Sequence, residues 1–406
     1  MPPSPTLQLE LPEPDARDVA DSAALSAQIR QACEAAGGTL CFDRFMELAL
    51  YTPQLGYYSA PRSRFGPQGD FVTAPEISPL FAACVARQVA QILDQIAGVA
   101  SVAGSVGAVL EVGAGSGVLA EGVLDALQAL GYANADYFIL ERSAGARGFQ
   151  RERLARFGEQ VRWLDELPEQ GFDGVIVANE LLDAIPAKCF QIEGGAVVER
   201  GVAVDDDGFR WQLMPHGDDE AGVRWRELID DALSADEVAQ LANGYRAEVA
   251  PARQAWVRTA ARSLRTGALL LLDYGYPRHE MYHPQRVAGT VACHFRHRVH
   301  DDPFVWPGLQ DIGSHVDFTA IAQAGVDSGL ELAGYTTQAH FLLDCGLLDG
   351  LDDAPLEERA RIELTGQIQR LTLPAELGEA IKVIALGRGL EQPLVGFRSR
   401  DLGYRL

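Results

Sequence analysis

Two groups of residues in this 406-residue chain have the types and spacing to do chemistry. In the first, Glu111 precedes Gly113-Ala114-Gly115-Ser116-Gly117. Glycines at that spacing let the backbone approach a ligand closely and adopt positive φ. Glu111 suits a ligand that carries cationic groups such as an ammonium and a sulfonium, because an anion attracts them and would repel a pyrophosphate. In the second, Asn179-Glu180 is followed at Asp183 by another carboxylate. Paired acids can hold a cation through charge-assisted hydrogen bonds or accept a proton. A further acid, Glu141, ends the apolar run Tyr137–Leu140 and is suited to accept from ribose hydroxyls. Other chemistries are excluded by the same reading. Counting six from Gly113 gives Val118, so the dinucleotide fingerprint G-x-G-x-x-G fails. No P-loop and no G-x-S-x-G elbow occurs.

These residues need rigid supports, and the pattern supplies them. Val109–Val112 reads as a buried strand, the glycine turn follows, and Val118–Leu130 has helical spacing that stops at Gly131. Strand Tyr137–Leu140, helix Ala144–Phe157, strand Val161–Leu164 and strand Val175–Ala178 come next. The expected fold class is α/β, a Rossmann-like doubly wound mixed sheet, with ligand at the carboxyl ends of the strands. Asp165 and Glu166 then lie where adenine contacts belong, and Asn179-Glu180 sits at the edge facing the reacting groups. If the chain turns helical after Glu180, Glu180 and Asp183 share a face; Asp183 is equally a helix cap or first-turn acid. Ala268–Leu272 returns as a central strand ending in Asp273.

The rest is organised around this unit. A tail to about Asp21 precedes helices at Ala23–Ala36 and Cys41–Leu50, and Ser78-Pro79 is an N-cap and N1 pair for a further helix. Residues 189–214 alternate and turn as an antiparallel meander, and 234–264 reads as helical. Residues 317–406 read as helix and strand. The stretch Arg64–Pro79 is too rich in Gly and Pro for a regular element and too aromatic for a free linker, which suits a loop closing over a pocket.

Gly69-Asp70-Phe71-Val72-Thr73-Ala74-Pro75-Glu76-Ile77-Ser78-Pro79 resembles the signature of the MidA family, the bacterial relatives of a mitochondrial respiratory complex I assembly methyltransferase. Ala178–Pro186, Asp273–Tyr276 and Asp311–Phe318 carry the likeness on, so it extends from about Phe45 to Phe318. E-x-G-x-G-x-G at Glu111–Gly117 likewise resembles motif I of the S-adenosylmethionine-dependent methyltransferases. The resemblance implies a class I methyltransferase core, S-adenosyl-L-methionine as cofactor, and an arginine in a protein such as a complex I subunit as acceptor. On that basis Glu111, Gly113, Ala114, Gly115, Gly117, Glu141, Asp165 and Asn179 are expected to hold cofactor. Glu180, Asp183 and Asp70 are expected to act on the acceptor, Asp70 from the closing loop. Methyl transfer is an in-line displacement, so positioning supplies most of the rate. Arginine is too basic to be deprotonated beforehand, so a base acts as the methyl arrives. The expected division is 1–104 for the tail, helices and active-site loop, 105–196 for the cofactor-binding core, 197–267 for an inserted substrate-recognition region, and 268–406 for the remaining core with a substrate groove.

Composition narrows the classes. The net charge of −23 with no basic stripe argues against nucleic acid as partner. Six cysteines stand apart with no C-x-x-C pair, as expected of buried thiols in a reducing compartment. No run approaches ~18 apolar residues and the N-terminus lacks a signal or transit pattern. Two lysines, Lys188 and Lys382, against 32 arginines suggest a GC-rich bacterial source, and the cysteines and N-terminus together lead to the expectation of a cytoplasmic protein. His294, His297 and His300 do not match zinc spacings and read as groove residues, so no metal is expected. Two other classes fit the chain: a non-catalytic assembly factor that keeps the fold, and a small-molecule methyltransferase. The intact glycine loop with Glu141 and Glu180 speaks against the first, and the extra region 197–268 against the second.

Overall fold

The computed structural model describes residues 11–60, 72–99, 107–169, 171–349 and 357–406. An eight-stranded sheet runs through it. Seven of its strands are numbered here in chain order: β1 Ala108–Val112, β2 Tyr137–Leu140, β3 Val161–Leu164, β4 Phe172–Asn179, β5 Leu264–Tyr276, β6 Glu331–Thr337 and β7 Ile381–Arg388. Their order is β6-β7-β5-β4-β1-β2-β3, and the two-residue strand Val316–Asp317 pairs beside β5. Strands β1 to β5 are mutually parallel, while β7 runs antiparallel between β5 and β6. This is the doubly wound mixed sheet that the sequence predicts.

Continuous apolar runs make these strands because both faces are covered. In β5, Ala268, Leu270 and Leu272 point into a core built with helices Pro79–Val99 and Val118–Ala129. Leu269 and Leu271 point the other way, toward helices Pro251–Ser263 and Phe318–Val326. In β4, Val175 and Val177 share the first core and Ile176 and Ala178 the second. Period-two alternation thus serves two layers of helices at once.

A second, antiparallel sheet stands beside the first, in the order Thr39–Cys41, Ala196–Asp205, Lys188–Glu193, Arg246–Val249, with Gly208–Met214 off the second strand. The meander expected over 189–214 is the strands Lys188–Glu193, Ala196–Asp205 and Gly208–Met214. The expected boundary at 196/197 falls inside the hairpin Lys188–Glu193/Ala196–Asp205. Three local readings are corrected. The tail is helical from Ala16, because Asp15 caps it by accepting from Asp18 N at 2.8 Å. Residues 234–264 are interrupted by strand Arg246–Val249, which the edge of strand Lys188–Glu193 recruits. Helix Ala144–Arg153 ends before Phe157, and a 3₁₀ turn over Ala155–Gln160 follows.

Where β4 runs between β1 and β5 the backbones approach so closely that a Cβ on Gly174 would lie 1.9 Å from the Ala108 carbonyl oxygen. Gly174→Ala should therefore lower stability by ~3 kcal/mol or more, the upper range for overpacking. Denaturant melts of the purified variant measure this; wild-type stability would mean that the three strands can slide apart.

Candidate active site

The carboxyl ends of β1 to β4 open on a cleft of about 1600 Å³. Small-molecule pockets hold roughly 300–1,000 Å³, so this one has space for a ligand and part of a macromolecule.

On one side the chain leaves β1 through Gly113, Gly115 and Gly117, with φ of 74°, 52° and 78°. All lie in the left-handed region, where a Cβ would add strain, so the spacing of the glycines is a backbone requirement. Glu111 lies beneath the loop, buried, accepting from the Tyr137 hydroxyl at 2.6 Å, and burial raises its carboxyl to about 7. Ala114 is buried and lines the cleft. Glu141 follows β2 and accepts from Ser143 N at 2.9 Å and Gln150 Nε2 at 3.2 Å. Gln150 also donates to Gly115 O at 3.0 Å, so one amide ties the acid to the glycine loop. Asp165 follows β3 at the rim, exposed, and pairs with Arg147 at 2.8 Å. A short helix, Ala74–Ile77, flanks the loop, where Glu76 accepts from the Ser116 hydroxyl at 3.1 Å.

On the other side β4 ends at Asn179, whose Oδ1 is buried with no hydrogen-bond partner in the protein among the described residues. Its Nδ2 donates to Glu180 at 3.1 Å. Glu180 has φ 51°, which is uncommon for a side chain of this size. The residues after it form a turn and not the helix considered above, because Glu180 N bonds back to Leu272 O at 2.8 Å. Leu181 N and Leu182 N donate to Asp273 Oδ2 at 3.0 and 2.7 Å. The same turn also removes the helix-cap role considered for Asp183. Both acids nonetheless line the cleft.

The structure adds residues that the motifs did not reveal. Asp311, on strand Asp311–Gly313, accepts from the Tyr58 hydroxyl at 2.8 Å. Tyr58 stacks on Tyr51 at 5.6 Å, and Tyr51 donates to Ala184 O at 3.0 Å. Tyr51, Tyr58 and Asp311 all line the cleft. The resemblance over Asp311–Phe318 touched Asp311, and the aromatic stretch Gly56-Tyr57-Tyr58 held Tyr58, but no spacing marks Tyr51. Asp70 lies outside the described residues. His294 and His300 belong to a hairpin, Ala292–Phe295 with Arg298–His300, and His297 is in its turn with φ 61°. None of the three lines the cleft.

Burial pushes the Glu180 carboxyl to about 8, helped by the charges of Asp183 and Asp311. Burial and the neighbouring Asp311 also raise Asp183, against the pull of Arg253 and His294. Desolvation likewise raises Glu141 and Asp273. Among the described residues the cleft thus gathers several acids whose carboxyls are raised, and a cationic ligand would favour their ionised forms. S-adenosyl-L-methionine fits this arrangement: the unpaired Asn179 Oδ1 and the acids suit its ammonium and ribose, and the positive-φ loop allows close approach.

Comparison with known proteins agrees. Residues 84–336 match the family described as S-adenosyl-L-methionine-dependent methyltransferases. A methyltransferase-like superfamily member from Burkholderia thailandensis, solved bound to S-adenosyl-homocysteine, superposes with TM-score 0.87 at 42% identity, covering 98% of this chain and 100% of that one. The mitochondrial protein arginine methyltransferase NDUFAF7 homolog of Drosophila melanogaster is 26% identical over 97% of this chain and 93% of its own. Human mitochondrial NDUFAF7 is 25% identical over 86% of this chain and 80% of its own.

Two outcomes follow from the geometry. Glu141→Ala should weaken S-adenosyl-homocysteine binding by about 10-fold or more in calorimetry, as for loss of a charged hydrogen-bond partner; unchanged affinity would remove Glu141 from the cofactor site. A carboxyl raised from 4.5 to about 8 leaves the folded state holding a proton that the unfolded chain releases. That contribution is fully present below pH 4.5 and is lost as pH rises through about 8. The melting temperature of the ligand-free protein should accordingly fall from pH 5 to 9, and Glu180→Gln should flatten the fall. The groups facing Glu180 are Asp183, Asp273, Asp311 and Tyr274. An identical slope in the variant would assign the loss to those neighbours instead.

Proposed function

This chain belongs to that family of S-adenosyl-L-methionine-dependent methyltransferases, and on this premise we propose that its methyl acceptor is an arginine side chain of a protein. The observation that carries the reading is Glu180: a half-buried carboxylate at positive φ beside Asp183 and Asp311 in the cleft. Among the described residues twelve lining side chains are acidic and three are arginines. Arg44 and Arg153 pair at the rim with Glu47 and Glu121, and neither pairs with Glu180 or Asp183.

The residues that would hold the cofactor are the Gly113–Gly117 loop, Glu141 and Asn179, with Asp165 at the adenine end. When bound it supplies an electrophilic methyl on a sulfonium. Glu180 would then grip the acceptor guanidinium. Because arginine is always charged, its arrival favours the ionised carboxylate and displaces the proton that Glu180 holds at neutral pH. Asp183 and Asp311 orient the far side of the guanidinium and provide a base for the proton released as the new N–C bond forms. Tyr51 and Tyr58 form the apolar wall that keeps water from this pocket. The mitochondrial relatives are named protein arginine methyltransferases, which supports the acceptor class. The resemblance extends the proposal to a respiratory complex I subunit as partner and a bacterial cytoplasmic setting.

The test combines substrate identification with one variant. Purified protein with labelled S-adenosyl-L-methionine and a bacterial extract should place the label on arginine in a protein band, read by mass spectrometry. Label on small molecules alone would overturn the protein-acceptor reading. Glu180→Gly removes the carboxylate and also the cost of positive φ, so its melting temperature should stay near wild type while methyl transfer falls about 10²-fold or more. A variant that unfolds but retains turnover per folded molecule would make Glu180 structural.

A further inference from the structure

The guanidinium of Arg253 is buried behind the acceptor turn, on helix Pro251–Ser263. Its Nη2 donates to Asp183 O at 3.1 Å, Ile185 O at 3.3 Å and Ser314 Oγ at 2.6 Å. Its Nη1 donates to His315 O at 2.7 Å. A single side chain therefore clamps the turn that carries Asp183 to the segment that follows Asp311. Ser314 N donates to Asp183 O at 3.2 Å and closes the same junction. The planar fork of arginine suits several acceptors at fixed angles, which a lysine cannot copy.

One donor is left over. Arg253 Nε is buried and has no partner in the protein among the described residues, and the same is true of His315 Nδ1. Both residues line a separate cavity of about 30 Å³, together with Glu248, Arg278, Tyr282 and Asp317. That volume is too small for an organic ligand and sufficient for a water, which needs about 10–15 Å³ of such space and 2–4 polar partners. The chemistry is complementary. Arginine Nε–H can only donate, water accepts it, and water can donate in turn to a ring nitrogen. Burial holds His315 down at about 4, so its ring is neutral at neutral pH and has a nitrogen able to accept. His315 also stacks on Tyr274 at 6.2 Å, next to the Asp273 that fixes Leu181 and Leu182.

We propose that Arg253 is the positioning residue of the acceptor site, and that the cavity behind it is the binding site of one buried water joining Arg253 Nε to His315 Nδ1. The positioning role rests on the acceptor reading of Asp183 and Asp311; the water site does not. Arg253 reaches the acceptor only through these groups, so it sets where the carboxylates stand and does not touch the substrate. The water completes the clamp on its far side and stops the guanidinium from tilting.

A crystal structure of the full chain with S-adenosyl-homocysteine, at a resolution that shows ordered water, should have one density peak within hydrogen-bond distance of both atoms. A dry cavity would overturn the water site. The positioning role is read with N-acetyl-L-arginine amide as probe, by calorimetry in the presence of S-adenosyl-homocysteine and by methyl transfer to it. Arg253→Lys should lose about 10²-fold in methyl transfer, the scale of a misplaced reactive group, while S-adenosyl-homocysteine affinity stays within about 2-fold. Wild-type turnover per folded molecule in that variant would overturn the positioning role. If Arg253→Lys does not fold, His315→Phe keeps the ring stack and removes the acceptor nitrogen. It should lose the water peak and about 10-fold in methyl transfer, and unchanged transfer would overturn the proposal. Wild-type protein that neither binds nor methylates the probe would count against the arginine reading, leaving the density to decide the water site.

Discussion

A buried carboxylate at the end of the central strand holds the catalytic edge in shape. Asp273 accepts from the backbone of Leu181, Leu182 and Tyr274, and it is buried among leucines. Its removal would leave three N–H groups without this acceptor, Leu182 N buried and the other two half-buried, at a cost of about 1–3 kcal/mol for the buried one. Because these bonds are satisfied, the chain can leave β4 through a non-glycine residue at positive φ and still return into register with β5. The strain at Glu180 is tolerated for that reason. The cofactor edge, the acceptor acids and the Arg253 clamp are all measured from this turn.

The acidic groups around it are mutually unfavourable. On top of burial, Asp183 and Asp311 raise Glu180, Asp311 raises Asp183, and Asp183 and Glu180 raise Asp273. In a monomer without ligand such an arrangement costs stability, which is why it marks a site and not a core. Arg253 offsets part of the cost from behind, where its own charge is held by carbonyls and not by the cleft. Glu180 and Asp183 line the cleft on the side away from that clamp, where the proposed guanidinium would meet them.

The overall charge of −23 would mislead if read as a uniform field. At the cleft rim arginines and acids neutralise each other, as in Arg153 and Arg156 with Glu121 and Asp125. Exposed pairs of this kind contribute little to stability. Glu180 and Asp183 take no part in these pairs, and the cleft is larger than a cofactor alone requires.

The glycine loop, Glu141 and the apolar strands were legible in the sequence, because each depends on neighbours in the chain: a turn needs positive φ at fixed spacing, and a doubly covered strand needs an unbroken apolar run. Glu180 and Asp183 were legible as acids at a strand end, but the geometry after Asn179 was not. Helix or turn there was decided by Leu272 and Asp273, more than ninety residues away. The strand Arg246–Val249 was invisible for the same reason, since its sheet partner is Lys188–Glu193. Asp311, Tyr51, Tyr58 and Arg253 carry no local pattern, and their roles exist only where β4, β5, the N-terminal helices and helix Pro251–Ser263 meet. Local backbone preference fixed the glycine-loop half of the cleft; long-range hydrogen bonds and burial of charge, which only the folded chain brings together, decided the half around Glu180.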